Sequence, residues 1–147
     1  MRVVALLTVL VVLVVPGALA AQDRQVIHTA YEVAGLPFST AVRVGTLLFL
    51  SGQIGNKPGT RELADTGITG QTRQALENIK GVLAAAGSTL ERAVKCTVFL
   101  TDIKDYQAMN AVYTTYFPKD PPARSTVAGS GLAFGARVEI ECIATVG

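Results

Sequence analysis

Tryptophan is absent from the 147 residues, histidine occurs once and cysteine twice. One histidine, His28, excludes any His pair within the chain for acid–base work or metal ligation, and Cys96 and Cys142 far from it do not make a zinc site. Charge is also sparse, at 16% of residues with a formal net charge of +2. The acidic and basic residues are interspersed, without the basic stripe that supplies nucleic-acid affinity or attraction to anionic membranes. Neither nucleic acid nor, once the apolar leader described below is cleaved, a membrane is therefore expected as a partner. Internal repeats, low-complexity tracts and long linkers are missing too, and the length suits one domain.

What the chain has in excess is hydrophobicity at its start. Arg2 is followed by an apolar run from Val3 to Val15 and then Pro16-Gly17-Ala18-Leu19-Ala20-Ala21. A basic start, a short apolar stretch and a small-x-small site make a secretory signal peptide. The expected division is a leader at 1–20 and a domain at 21–147, exported to the periplasm or secreted. An uncleaved anchor is the alternative, but the run is shorter than the roughly 20 residues a spanning helix needs, and Pro16-Gly17 breaks its end. Export would allow a disulfide. Cys96 and Cys142 nevertheless both fall in strand-like runs, where cysteine commonly acts as a small buried apolar residue, and two buried thiols are the favoured reading.

The domain reads as β-β-β-α-β-α-β-β. Gln25–His28, Ala41–Val44 and Thr46–Gln53 are strand candidates, and the Gly-, Asn- and Pro-bearing stretch Ile54–Thr66 reads as a loop. Ala75, Ile79, Val82, Leu83 and Ala86 recur at helical spacing, with Thr69 as N-cap and Gly87 as stop. Ala93–Leu100 is β-branched and strand-like. Tyr106, Met109, Tyr113, Tyr116 and Phe117 form a second helical stripe that Pro118 ends. Arg124–Ala128, a glycine-rich turn at Gly129–Gly135 and the long strand Ala136–Val146 complete the order. The expected fold class is α+β, a mixed sheet with two helices on one face. The other face is left bare for subunit packing.

Two places carry candidate chemistry. In the last strand Val138, Ile140, Cys142 and Ala144 alternate with Glu139 and Glu141, so both carboxylates leave one face. By periodicity alone they are solvated surface or part of a site between subunits. Arg124, behind Pro121-Pro122, is a guanidinium held at a strand end. It suits two-bond capture of a carboxylate or a surface ion pair.

The residues also resemble a known family. Pro122-Ala123-Arg124-Ser125 followed by Val138-Glu139-Ile140-Glu141-Cys142-Ile143-Ala144 is similar to the C-terminal signature of the RidA (YjgF-like) deaminases. Ser51-Gly52-Gln53, the helix from Gln71 to Ile79, Lys95–Asp102 and Met109–Tyr113 resemble its other motifs, in order, over essentially the whole domain. That resemblance implies a chorismate-mutase-like (bacillar) fold and a homotrimer with clefts between subunits. It also implies a 2-iminobutanoate/2-iminopropanoate deaminase-like hydrolase, acting on enamines and imines of the 2-aminoacrylate type. Arg124 and Glu139 are then the catalytic candidates, and Ser51, Asn110, Thr126 and Phe38 the substrate-binding ones. This chemistry requires no metal or cofactor. Two departures bear on the cleft: Thr126 stands where many members have Cys, and Phe38 where they have Tyr. The loop before Arg124 is also shorter. A trimeric binder of small carboxylated metabolites is the alternative function, and an endoribonuclease a weaker one.

Overall fold

A computed structural model describes residues 23–147; the expected leader Met1–Ala20 lies outside the described residues. Seven strands form one sheet: β1 (Arg24–Ile27), β2 (Ala41–Val44), β3 (Leu47–Leu50), β4 (Gln53–Ile54), β5 (Ala93–Leu100), β6 (Ala123–Ala128) and β7 (Val138–Thr145). Their lateral order is β1-β2-β3-β7-β5-β6, with β4 continuing the line of β3 alongside β7. All pairs are antiparallel except β5 and β6. A parallel pair needs a crossover, and the helix α2 (Tyr106–Tyr116) supplies it. The long helix α1 (Ile68–Ala85) packs beside α2 on the same face.

The core lies between those helices and the sheet. Ile79, Val82 and Leu83 from α1 and Met109 from α2 close completely over Leu48, Val98, Leu100, Val138 and Ile140. Each such side chain contributes about 1.5–3 kcal/mol relative to an exposed one. In β7 the even-numbered residues from Val138 to Ala144 are buried and the odd-numbered ones are not. The two-residue period of the sequence thus becomes two sheet faces.

Local chemistry shifts several boundaries. The N-cap of α1 is Gly67, not Thr69, and no side chain caps the helix. Asp65 instead accepts a hydrogen bond from the Gly67 amide at 2.7 Å, in the turn leading into α1. Gly87, at φ +74°, ends α1: its amide bonds Ala84 O and the Ser88 amide bonds Leu83 O, the paired closure that favours glycine. The expected single strand Thr46–Gln53 is broken. Phe49 pairs with Ile143 but Gln53 with Ile140, so three residues face two across Ser51-Gly52 and the strand bulges.

The cysteines correct the sequence reading. Both are buried, but they form a disulfide. Cys96 and Cys142 are Cα partners on adjacent antiparallel strands, 4.1 Å apart. Which strands are neighbours is set by topology, which the local sequence does not state. On the face away from the helices Leu47, Phe49 and Val127 are 39%, 42% and 48% exposed, an apolar surface without a partner among the described residues.

Candidate functional site

The strand bulge builds the first of two groups. Ser51 donates its hydroxyl to Ser39 O at 2.7 Å, and its amide bonds Thr40 O. These bonds fasten the segment that carries Phe38. Gly52, next in the bulge, lies against Glu139. A Cβ at that position would sit 2.6 Å from the Glu139 Cδ and 2.8 Å from its Cγ, so only glycine leaves the carboxylate its place. Phe38, Gly52, Ile54, Phe134 and Glu139 line a cleft of about 430 Å³. Phe38 projects with 58% of its surface exposed, and Phe134 is held at φ 56°, a conformation uncommon outside glycine. His28, bonded to Glu32 at 3.0 Å, stands at the same cleft. Burial pushes the Glu139 carboxyl above its ordinary pKa, and the like charge of Glu141 pushes in the same direction. Glu139 and Glu141 do share a face, as their alternation requires, but only Glu139 is drawn into this cleft.

The second group forms across β6 and α2. Arg124 is the Cα partner of Cys96, so its side chain leaves the sheet on the helix side, opposite to Glu139. Its guanidinium carbon sits 4.5 Å from the Tyr113 ring centroid, and its Nη2 donates to Tyr106 Oη at 3.3 Å. It makes no ion pair with any carboxylate among the described residues. Arg137 is the contrast, locked onto Asp105 by bonds of 2.8 to 3.1 Å. Around Arg124, three polar atoms are buried without a hydrogen-bond partner: Asn110 Oδ1, Tyr113 Oη and Thr126 Oγ1. Buried polar atoms are normally satisfied, so a cluster of orphans around a free cation marks a place built for something else. Hydrogen bonds from Asn110 and Arg124 hold the Tyr106 phenol below its usual pKa, whereas burial pushes Tyr113 up to about 12.

The six residues singled out in the sequence therefore fall into two sets. Phe38 and Glu139 line the cleft on the open face, with Ser51 fastened to its wall through Ser39; Asn110, Thr126 and Arg124 meet on the helix side. Among the described residues, the cleft at Glu139 is not lined by Asn110, Thr126 or Arg124. Sequence reasoning missed Gly52, Phe134, Tyr106 and Tyr113. The two tyrosines were readable only as an apolar helix stripe, although their spacing from Asn110 places all three on one helix face. Among the described residues no three His, Cys, Asp or Glu side chains gather as a metal site, and no helix is long and apolar enough to cross a membrane.

Comparison with known proteins places this geometry. The Endoribonuclease L-PSP family matches residues 27–146. Protein DfrA of Myxococcus xanthus is 44% identical over 124 residues, 82% of this chain and 95% of that protein. The 2-iminobutanoate/2-iminopropanoate deaminase of Capra hircus is 42% identical over 125 residues, 84% of this chain and 91% of the relative. Among solved structures YyfA from Yersinia pestis, described as a protein of unknown function of the conserved Rid family, superposes with a TM-score of 0.79. It is 43% identical, over 84% of this chain and all of that one.

Proposed function

Because this chain belongs to the Endoribonuclease L-PSP family, which is the RidA (YjgF-like) family, we propose that it hydrolyses small 2-imino acids to 2-keto acids and ammonia, in clefts completed by neighbouring subunits of a trimer. The observation that carries this reading is the pairing of unfinished halves. One half offers a free guanidinium ringed by unpaired polar atoms, and the other a half-buried carboxyl of raised pKa at a cleft. Neither completes a reaction alone. The apolar open face of the sheet gives a second copy something to pack on.

In the joined site Arg124 clamps the substrate carboxylate through two parallel hydrogen bonds. Glu139, as carboxylate, takes a proton from water while the water oxygen bonds the imine carbon. Glu139 returns that proton to the nitrogen to give a carbinolamine, then takes the carbinol hydroxyl proton and passes it to the amine, so that the carbonyl forms as the carbon–nitrogen bond breaks and ammonia leaves. An imine carbon is already electrophilic, so a positioned base and an anion clamp suffice. Tuning a carboxyl upward from its ordinary range brings it nearer the operating pH, which suits a group that must both take and return a proton.

Export of the domain follows from the leader pattern in residues 1–20, and the Cys96–Cys142 disulfide supports an oxidising compartment such as a periplasm. The family's description as an endoribonuclease favours one other reading, RNA cleavage, but the chain lacks both a basic stripe and a second histidine.

The test is keto-acid and ammonia release by the protein lacking residues 1–20, with imino acids generated in situ by an amino-acid oxidase. Glu139→Gln should lower turnover by about 10²–10⁴-fold while leaving 2-oxobutanoate binding in place, and Arg124→Ala should lose both. No acceleration by a folded trimer that still binds 2-oxobutanoate would make the protein a carboxylate binder instead.

A further inference from the structure

The phenol of Tyr106 has no assigned role, yet it stands against Arg124 and is less buried than Tyr113. Its oxygen accepts from Arg124 Nη2 at 3.3 Å, beside the unpaired Asn110 Oδ1. The hydroxyl proton itself finds no acceptor among the described residues. Tyr116, ten residues along the same helix, shows the opposite arrangement: its hydroxyl is spent inside the protein on Glu77 Oε1 at 2.8 Å. Nor is the Tyr106 ring needed as a platform for the guanidinium. Its centroid lies 5.8 Å from the Arg124 carbon, at the edge of useful range, while Tyr113 already stacks at 4.5 Å.

We propose that Tyr106 is a substrate-binding residue, whose hydroxyl donates to the carboxylate that Arg124 clamps and so adds one fixed donor to the two of the guanidinium fork. The inference rests on the carboxylate-binding half of the function proposed above and not on the hydrolysis step. A phenol that accepts from a cation is polarised toward donation. A carboxylate has four lone-pair sites, enough for the fork and the phenol together. The ligand class this selects is a small 2-oxo or 2-imino monocarboxylate approaching the guanidinium from the Tyr106 side. A neutral amide or ester analogue would lose the charge that makes each of these hydrogen bonds strong.

The experiment is titration of 2-oxobutanoate into the trimer, wild type and Tyr106→Phe, alongside steady-state kinetics on the imine. Removing one hydrogen bond to a charged group should weaken binding about tenfold, with KM raised by the same factor and the loss carried by KM rather than kcat. A folded Tyr106→Phe trimer that binds 2-oxobutanoate as well as wild type would overturn the assignment, as would a fall in kcat without weaker binding. A second readout needs no variant of Tyr106. Fluorine NMR of wild-type protein labelled with fluorotyrosine reports all four tyrosines, and the Tyr106 resonance, assigned by elimination with Phe variants of the other three, should shift on adding 2-oxobutanoate. An unmoved Tyr106 resonance at saturation would overturn the proposal. If wild type binds 2-oxobutanoate but turns over no imine, the hydrolase reading fails, and the binding arms still decide Tyr106. If wild type binds no 2-oxobutanoate, the Tyr106 assignment fails.

Discussion

Gly52→Ala adds one methyl group where the Glu139 side chain now lies. The new carbon would come within 2.8 Å of Glu139 Cγ and 2.6 Å of Cδ, and closer still to Oε1. Contacts that short do not survive, so either the carboxyl swings away or the bulge backbone gives. The carboxyl is the softer of the two, being the far end of a flexible chain beside an open cleft, whereas the backbone is pinned by the bonds of Ser51 to Ser39 and Thr40. Overpacking of this kind costs about 1–3 kcal/mol, and replacing glycine by alanine in an allowed conformation returns about 0.4–1 kcal/mol through the unfolded state. The fold should therefore persist. Turnover should not, because displacing a catalytic group by about 1 Å costs on the order of 10²-fold, or about 2.7 kcal/mol of barrier. Initial rates of keto-acid release, with a melting curve and 2-oxobutanoate titration on the same sample, measure all three quantities. Wild-type turnover in Gly52→Ala would refute the placement of Glu139 as the base, and a rate loss matched by lost folded protein would refute the specific clash.

Glu141→Gln removes the like charge that helps raise the Glu139 pKa. If Glu139 acts as the ionised base proposed above, the acid limb of the kcat/KM profile should move to lower pH. Burial, the larger cause, remains and keeps that limb above the ordinary carboxylate range. The same raised pKa means that ionised Glu139 opposes folding. Relative to Glu139→Gln, wild type should lose stability as pH rises from the unfolded value of 4.5 through the higher folded one, visible in paired melting curves. The Cys96–Cys142 disulfide closes a segment with a sequence separation of 46, which the chain-entropy treatment values at about 4 kcal/mol. Thiol titration of unreduced, denatured protein should find no free thiol, and the Cys96→Ala, Cys142→Ala protein should melt well below wild type.

The fold was largely legible because its signals are local and periodic. Alternation in Val138–Thr145 assigned both faces of β7 correctly, and the three-four spacing of Ile79, Val82 and Leu83 found the buried side of α1. Failures came where a partner distant in sequence decides the outcome. Gly52 within a strand-like run marks a bulge or a close approach without saying which; only the register against β7 decides it. Cys96 and Cys142 looked like two small buried residues because nothing in either segment says that β5 and β7 adjoin. At the site, Arg124 and Glu139 could be named from their motif but not placed. Their separation onto opposite faces follows from Arg124 standing beside Cys96 and Glu139 one residue out of phase with Ile140. The aromatic partners of Arg124 were hidden by composition, since tyrosines at helical spacing read as core until their hydroxyls are located.

That separation onto opposite faces makes the assembly testable by mixing. If each site draws Glu139 from one subunit and Arg124 from its neighbour, an Arg124→Ala subunit retains a good Glu139 half and a Glu139→Gln subunit a good Arg124 half. Each variant alone forms trimers with three defective sites. Unfolded together and refolded at equal concentration, they assort at random, and a given interface has the right subunit on both sides in about one case in four. Activity should rise from near zero in either variant to about one quarter of wild type, with unchanged KM, because every restored site is fully wild-type in composition. A site contained within one chain forbids any such recovery, since no chain in the mixture carries both residues. Recovery with a KM unlike wild type would point to a distorted interface, and no recovery from trimers shown by mass to be mixed would remove the shared-cleft mechanism.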